Sequence, residues 1–390
     1  MLIMAAVTHG RADLTWQIVE LDPPGPGEVL VRLAASGICG TDRRVIDGTR
    51  HFALPGVIGH EGSGVVEEVG PGVSDLHPGE HVVLGWARCG SCPACLARAT
   101  SYCEQTRRAT EAGVRVFGPL SGQGAYRFPD GKHLGGHFFG QSSLASHTVV
   151  AASSLVPIDR RLPLAKLAPL GCGFSAGGER RGESAAALVH GFHAVDDVIE
   201  PQPGANVVVL GIGAVGSAAI VAAKMAGAHV VAADRKPGKL QLAAQLGADP
   251  LAIEDPAELP NLLRNQLGRR PDAVVECTGN PQLAEAAAAA VGSRGVCALI
   301  GGSRAGTNIS LDHNRLVWGK RVQGVLGAGD INRTIGRLAN LCQDGSFPLD
   351  RLVQVYPSDR LSEALADQAT GLVIKPVVLA PAISGAPNQL

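Results

Sequence analysis

Residues 206–234 read NVVVLGIGAVGSAAIVAAKMAGAHVVAAD. The apolar run Val207–Leu210 leads into glycines at 211, 213 and 216, then a helix-like stretch of small and apolar residues, then a second apolar run that ends in Asp234. Strand, glycine-rich turn, helix and strand in that order make a βαβ unit, and G-x-G-x-x-G at its first turn gives each glycine a reason. Gly211 permits the tight turn, Gly213 lets the backbone approach a pyrophosphate, and Gly216 lets helix and strand pack closely. The N-terminus of the helix then offers free N–H groups to the phosphates. Asp234 follows Gly216 by eighteen residues. A carboxylate there accepts hydrogen bonds from both ribose hydroxyls and repels a 2′-phosphate, which favours NAD over NADP, although Arg235 beside it blunts the preference. "DAVVECTG" (272–279) and "GVCALIGG" (295–302), with the Ala-rich helix Gln282–Val291 between them, continue the rhythm and extend a parallel sheet.

Outward from this stretch, the bulk numbers bound the answer. The chain has 390 residues, enough for two domains. Lys and Arg number 34 against 35 Asp and Glu, so no basic excess points to nucleic acid or an acidic membrane surface. No apolar run approaches the ~20 residues that span a bilayer. The opening "MLIMAAVTHGRADL" lacks the basic and apolar regions of a secretory leader. The expectation is a cytoplasmic, reducing compartment, where disulfides are rare.

That expectation bears on "CGSCPACLARATSYC" (89–103), which holds four of the nine cysteines: Cys89, Cys92, Cys95 and Cys103. A disulfide knot, a metal site and unrelated thiols compete. A reducing compartment and an odd cysteine count weigh against the knot. The spacing C-x2-C-x2-C-x7-C suits a closed tetrahedral zinc site that folds a loop and leaves no place for substrate. Arg88 and Arg98 flank it and offset its negative charge.

The first half reads as short strands between Gly and Pro turns, an all-β unit. Three further metal-ligating residues fall in its loops: Cys39 in "GICGTD", His60 in "GHEG" and Cys172 in "LGCGFS". Two cysteines and a histidine with a fourth place open form the donor set of a catalytic zinc. Each residue alone is weak evidence, because a buried cysteine is usually a small hydrophobe.

Taken together, "GICGTD", "GHEGSGVVEEVGPGV", the four-cysteine lobe, "GCGFS", "GIGAVG" and "GLVIKPVVL" (371–379) resemble, in order and over nearly the whole chain, the zinc-dependent medium-chain alcohol dehydrogenase family. "GHFFGQSSLASHTVV" (136–150) and residues 345–377 look most like its aryl-alcohol (benzyl alcohol) dehydrogenase branch. The resemblance implies an α/β chain. A GroES-like, β-rich catalytic domain would span 1–172 and be closed by 331–390, with a Rossmann domain over 173–330. It implies two zinc ions, one catalytic on Cys39, His60 and Cys172 and one structural. It makes Glu61 an acid beside the metal, Asp42 the carboxylate that orients His60, and Thr41 the hydroxyl that takes the alcohol proton. It assigns Ala214, Val215, Lys239, Thr278 and Lys375 to the dinucleotide, with Lys375 near the pyrophosphate, and places Trp86 either in the substrate pocket or in the core. The implied reaction is hydride transfer between NAD and a primary alcohol, aromatic or allylic, in a homodimer or homotetramer. A polyol, amino-alcohol or biosynthetic dehydrogenase is the alternative within the family, and a noncatalytic NAD-binding scaffold with structural zinc only is the alternative outside it.

Three places depart from the family. Arg44 stands where many members carry a relay histidine, with His51 nearby. Ala176 replaces a common threonine. "GGERRGESAAALVHGFHAVDDVIEPQPG" (177–204) is longer than usual, and reads either as a surface loop with the usual helix or as a lid or subunit contact.

Overall fold

The structure is a computed structural model that describes residues 1–10, 13–174, 194–304 and 306–382. Ala176 and most of the long segment after Cys172 therefore lie outside the described residues. The chain forms two compact units, Met1–Gly173 with Asp330–Leu390, and Phe174–Gly329.

The second unit is built on six strands: Asn206–Leu210, His229–Asp234, Asp249–Ala252, Ala273–Glu276, Val296–Leu299 and Arg321–Gly324. Counted along the unit they stand in the order 3-2-1-4-5-6, and every neighbouring pair is parallel. That is the Rossmann order. Parallel strands covered on both faces read as unbroken apolar runs. Val207, Val208 and Val209 accordingly have no exposed surface, and Val208 packs in one core with Val231, Val274 and Leu263. The helix between the first two strands, Ala214–Met225, buries Gly216, Ser217, Ala218, Ala219, Ala222 and Ala223, small residues that let it lie close to the sheet.

The first unit is mainly β. Its larger sheet is ordered around the ten-residue strand Glu28–Gly37, which pairs antiparallel with Gly62–Val69, with His147–Ala151 and with Lys375–Leu379 near the chain end. A five-stranded sheet containing Leu2–Thr8 and Thr15–Leu21 accompanies it. Val29, Val31, Val66, Val82, Leu84 and Val149 fill the core that the strands share. The first half, which the sequence suggested to be all-β, also carries the helices Gly40–Ile46 and Thr106–Glu111. Ile331–Gln343 and Leu361–Thr370 are helices, and short helical turns hold the four-cysteine lobe.

Pairing in the larger sheet fixes where the chemistry falls. Ser36 pairs with Gly62, so the residues just past one strand and just before the other meet at the same end. Cys39 follows the first strand and His60 and Glu61 precede the second. Val377 pairs with Gly37 on the other side, which brings Lys375, at the start of the last strand, to the same place. Cys172 arrives there after the turn Ala168–Gly171.

Candidate active site

Ligand atoms of Cys39, His60, Glu61 and Cys172 all lie within 4.8 Å of one another. Residues separated by up to 133 positions thus converge, and local folding explains how each is held. Cys39 caps the helix Gly40–Ile46, and Asp42 at its third position reaches back to the Cys39 backbone N–H at 2.9 Å, the reciprocal arrangement of a capping box. The same carboxylate accepts from Gly59 N at 3.2 Å and contacts His60 Nδ1 at 2.9 Å. Asp42 and His60 are both fully buried. A proton on Nδ1 donated to Asp42 leaves the Nε2 lone pair for a metal. His60 Nε2 has no hydrogen-bond partner although it is buried.

The two thiols shift each other in opposite directions. A hydrogen bond from Cys172, helped by Lys375 and His60 against the cost of burial, holds the Cys39 thiol well below its ordinary value. The thiol of its counterpart Cys172 is pushed well above its ordinary value by that bond and by burial. Burial works against the charge of His60, but the Asp42 carboxylate and Cys39 outweigh it and raise His60 to about 10.

Glu61 is paired rather than free. Both its oxygens lie 2.9 Å from Lys375 Nζ, and Oε1 accepts from Gly173 N at 3.1 Å. Burial lifts its carboxyl to about 7 against the pull of Lys375. A Cβ on Gly37 would stand 2.2 Å from Glu61 Oε2, so the glycine of "GICGTD" makes room for the acid. Lys375, which the resemblance placed near the pyrophosphate, is thus buried in the first unit. Its ammonium is held by Glu61 and, at 3.3 Å, by the Ile38 carbonyl.

Aromatic rings close one side. Phe139 stacks on His60 with centroids 4.5 Å apart, and Phe138 meets His60 edge-on at 5.5 Å. Phe139 takes φ 56°, a left-handed conformation unusual for a bulky residue. Neighbouring hydrogen bonds hold the segment, from Ser142 Oγ to Val57 O at 2.6 Å and from Ser143 N to Gly59 O at 3.0 Å. Backbone strain of this kind persists where the surroundings over-determine it. Trp86 packs against Phe139 at 4.9 Å. Thr41 Oγ1 is 3.8 Å from Cys39 Sγ, while Arg44 and His51 are exposed.

Cys89, Cys92, Cys95 and Cys103 form a second tetrad, again within 4.8 Å, and all nine cysteines are free thiols. Cys92 N donates to Cys89 Sγ at 3.3 Å and Cys89 N to Cys103 Sγ at 3.4 Å, the turn amides a thiolate cluster needs.

In the second unit the glycine turn has the shape its spacing predicts. Gly211 takes φ +87°, where a side chain would also meet Thr278 Cγ2 at 2.6 Å. A Cβ on Gly216 would sit 1.9 Å from Gly211 O, whereas Gly213, capping the helix that Ala214 and Val215 begin, is open to approach. Asp234 accepts from Ile212 N at 2.9 Å and Lys236 N at 3.0 Å, which fixes its carboxylate beside the turn. Arg235 is exposed. Lys239 is partly buried, and that burial lowers its ammonium despite the nearby Asp234 charge.

A family model described as "Alcohol dehydrogenase GroES-like domain" matches residues 25–160, and one described as "Zinc-binding dehydrogenase" matches 214–343. The S-(hydroxymethyl)glutathione dehydrogenase of Photobacterium damsela subsp. piscicida is 32% identical, covering 96% of this chain and 98% of its own. The chain belongs to the zinc-dependent medium-chain alcohol dehydrogenase family. Among solved structures, the benzyl alcohol dehydrogenase of Acinetobacter calcoaceticus is similar with a TM-score of 0.85 and 32% identity, covering 98% of this chain and all of that one. An alcohol dehydrogenase zinc-binding domain protein from Burkholderia ambifaria has a TM-score of 0.89 and 35% identity over the same share.

As an alcohol dehydrogenase the protein is an oxidoreductase of alcohol and carbonyl pairs that uses zinc and a nicotinamide dinucleotide. The first tetrad fits a zinc. Two thiols, an imidazole with a buried unpartnered Nε2 and a carboxylate are the donors that the ion takes. No described helix is long and apolar enough to cross a membrane.

Two features escaped the sequence reading, the Glu61–Lys375 pair and the stacking of Phe139 on His60. Both depend on pairings between distant segments, and no local spacing announces them. Asp42→Asn tests the support of His60. Removing the charge behind a ligating histidine is expected to weaken zinc retention about 10–100-fold. Competition with a chromogenic chelator measures it, and the melting temperature should shift little because an Asn oxygen still accepts from the Cys39 N–H.

Proposed function

We propose that this alcohol dehydrogenase is NAD-linked, holds one catalytic and one structural zinc, and acts on primary alcohols, aromatic or allylic. The observation that carries the reading is the tetrad of Cys39, His60, Glu61 and Cys172, in which His60 Nε2 is buried and unpartnered and Glu61 is already neutralised by Lys375. With Glu61 so paired, Cys39, His60 and Cys172 would hold the ion. When bound, zinc polarises a hydroxyl and the nicotinamide accepts the hydride. The chain supplies the rest. Asp42 holds the imidazole, Phe139 and Phe138 keep water from it, and Thr41 takes the hydroxyl proton. Arg44 cannot act as a base, and it is exposed, so the proton leaves Thr41 to solvent.

The choice of NAD rests on Asp234, whose carboxylate ends its strand beside the glycine turn. Asp234→Ala should raise the KM for NAD about 10–100-fold, the weight of one or two charge-assisted hydrogen bonds. The KM for NADP should rise less or fall.

The test of the reading is NAD reduction by zinc-replete protein over a panel of benzylic, allylic, aliphatic and secondary alcohols, polyols and S-(hydroxymethyl)glutathione. The highest kcat/KM is expected with a benzylic or allylic alcohol. A highest value with a polyol would move the protein to the alternative branch, and no turnover with any of them would remove the reading.

A further inference from the structure

In the dinucleotide unit the strand order reverses between Asn206–Leu210 and Ala273–Glu276, the first and fourth strands. An open parallel sheet takes its ligand outside the carboxyl ends of the strands at that reversal. The glycine turn leaves the end of the first strand. Opposite it, at the end of the fourth, stands a buried acid, Glu276, paired in register with Leu210 and only 1% exposed.

Among the described residues no cation pairs with Glu276. Its carboxylate accepts instead from the loop that follows it, from Thr278 N at 2.7 Å, from Gly279 N at 3.1 Å and from the Thr278 hydroxyl. A buried carboxylate costs free energy unless donors satisfy it, and these donors do so. The same hydroxyl accepts from Asn280 N at 3.0 Å, and Asn280 caps the helix Pro281–Ala290 by accepting from Leu283 N at 3.0 Å. Thr278, which the resemblance assigned to the dinucleotide, thus donates its hydroxyl to its own loop. Its methyl lies against the glycine turn, where a Cβ on Gly211 would stand 2.6 Å from Thr278 Cγ2. On its other side the loop is pressed against the exit of the fifth strand. A Cβ on Gly301 would stand 1.9 Å from Gly279 N, and Ser303 Oγ donates to Gly279 O at 2.6 Å.

We propose that Glu276 is a positioning residue for the dinucleotide. It acts through Thr278, fixing residues 277–280 as the wall of the crevice that faces the glycine turn. Asp234 ends the second strand, in the half of the fold that takes the adenosine ribose, so the wall at the fourth strand serves the nicotinamide half. This deepens the alcohol dehydrogenase reading above and rests on its dinucleotide site.

The experiment measures the Kd of NADH by fluorescence and of 5′-AMP, which fills the adenosine half alone, by calorimetry. NADPH and 2′,5′-ADP take their places if the wild type prefers NADPH. The proteins are the wild type, Glu276→Gln, Thr278→Val and the double variant. Gln keeps the shape but turns a donor toward N–H groups that need an acceptor. Glu276→Gln should raise the Kd of the dinucleotide about tenfold, the weight of a lost charge-assisted hydrogen bond, and that of AMP less than about twofold. Thr278→Val, which keeps the branched shape and loses the hydroxyl, should weaken the dinucleotide severalfold. The double variant should be about as weak as Glu276→Gln alone, because both substitutions remove one contact. Unchanged dinucleotide binding in Glu276→Gln, equal losses for dinucleotide and AMP, or losses that multiply in the double variant would each overturn the proposal and leave the dehydrogenase reading standing. A wild type that binds neither NADH nor NADPH would overturn both.

Discussion

Cys172→Ala is expected to lower alcohol-dependent NAD reduction at least ~1,000-fold while dinucleotide affinity changes less than about threefold. Polarisation of the substrate oxygen by zinc supplies several kcal/mol of barrier lowering. Each 1.36 kcal/mol is tenfold in rate, so its loss amounts to about three decades or more. Cys172 is one of two thiols in the tetrad, and an imidazole with one thiolate holds the ion far less firmly than two thiolates do. The fold should survive, because Cys172 follows a turn whose Pro169 and Leu170 remain buried and the Glu61–Lys375 pair keeps its geometry without the thiol. Dinucleotide binding should survive because Gly211, Gly213, Gly216 and Asp234 belong to the other unit. Steady-state turnover and a fluorescence titration with NADH read the two halves. Equal losses in both would mean that the substitution damages the protein at large.

Cys95→Ser carries the second large effect, on structure. The lobe from Cys89 to Cys103 has little apolar material of its own. Leu96 is 72% exposed, and the buried residues in its two short helical turns are Cys95 and Ser101. What orders it is the sulfur cluster, and a metal bound only by the folded form contributes its binding free energy to folding. Removing one of four ligands should release the zinc, expose the lobe to limited proteolysis between residues 89 and 103, and lower the melting temperature by several degrees. Acid should act in the same direction. The Ser91 backbone N–H draws the Cys89 thiol down to about 6, whereas burial pushes Cys95 up to about 12. Zinc must displace the proton from Cys95, so the protein gains affinity for the ion as pH rises and loses it as pH falls. Zinc release followed by a chelating dye should therefore accelerate on acidification in the wild type. A melting curve and protease pattern unchanged in Cys95→Ser would show that the lobe is ordered without its metal.

How much of this was legible in the sequence depends on the range over which each feature is encoded. The glycine turn was legible in full, because Gly211, Gly213, Gly216 and Asp234 act within one βαβ unit and their spacing is the geometry. The four-cysteine lobe was legible for the same reason. The other tetrad was not, since Cys39, His60 and Cys172 are weak signals one at a time. It took either the resemblance or the strand register, Ser36 against Gly62 and Gly37 against Val377, to bring them together. Asp42 shows how a local device serves a distant one. It completes the capping box of the helix that Cys39 caps, and the same carboxylate steadies an imidazole eighteen residues away. The role of Lys375 is set by the last strand pairing beside the first long one, and that pairing has no local signature. The helices Gly40–Ile46 and Thr106–Glu111 of the first half were missed because, at 7 and 6 residues, they are too short to set a helical period of apolar residues.

The most direct measurement is zinc per chain by mass spectrometry in the wild type, Cys172→Ala and Cys95→Ser after exhaustive desalting. Two equivalents in the wild type and close to one in each variant are expected, since each substitution opens a different tetrad. One equivalent in the wild type, kept in Cys172→Ala and lost only in Cys95→Ser, would contradict the account. The protein would then carry its lobe metal alone, with no ion on Cys39, His60 and Cys172.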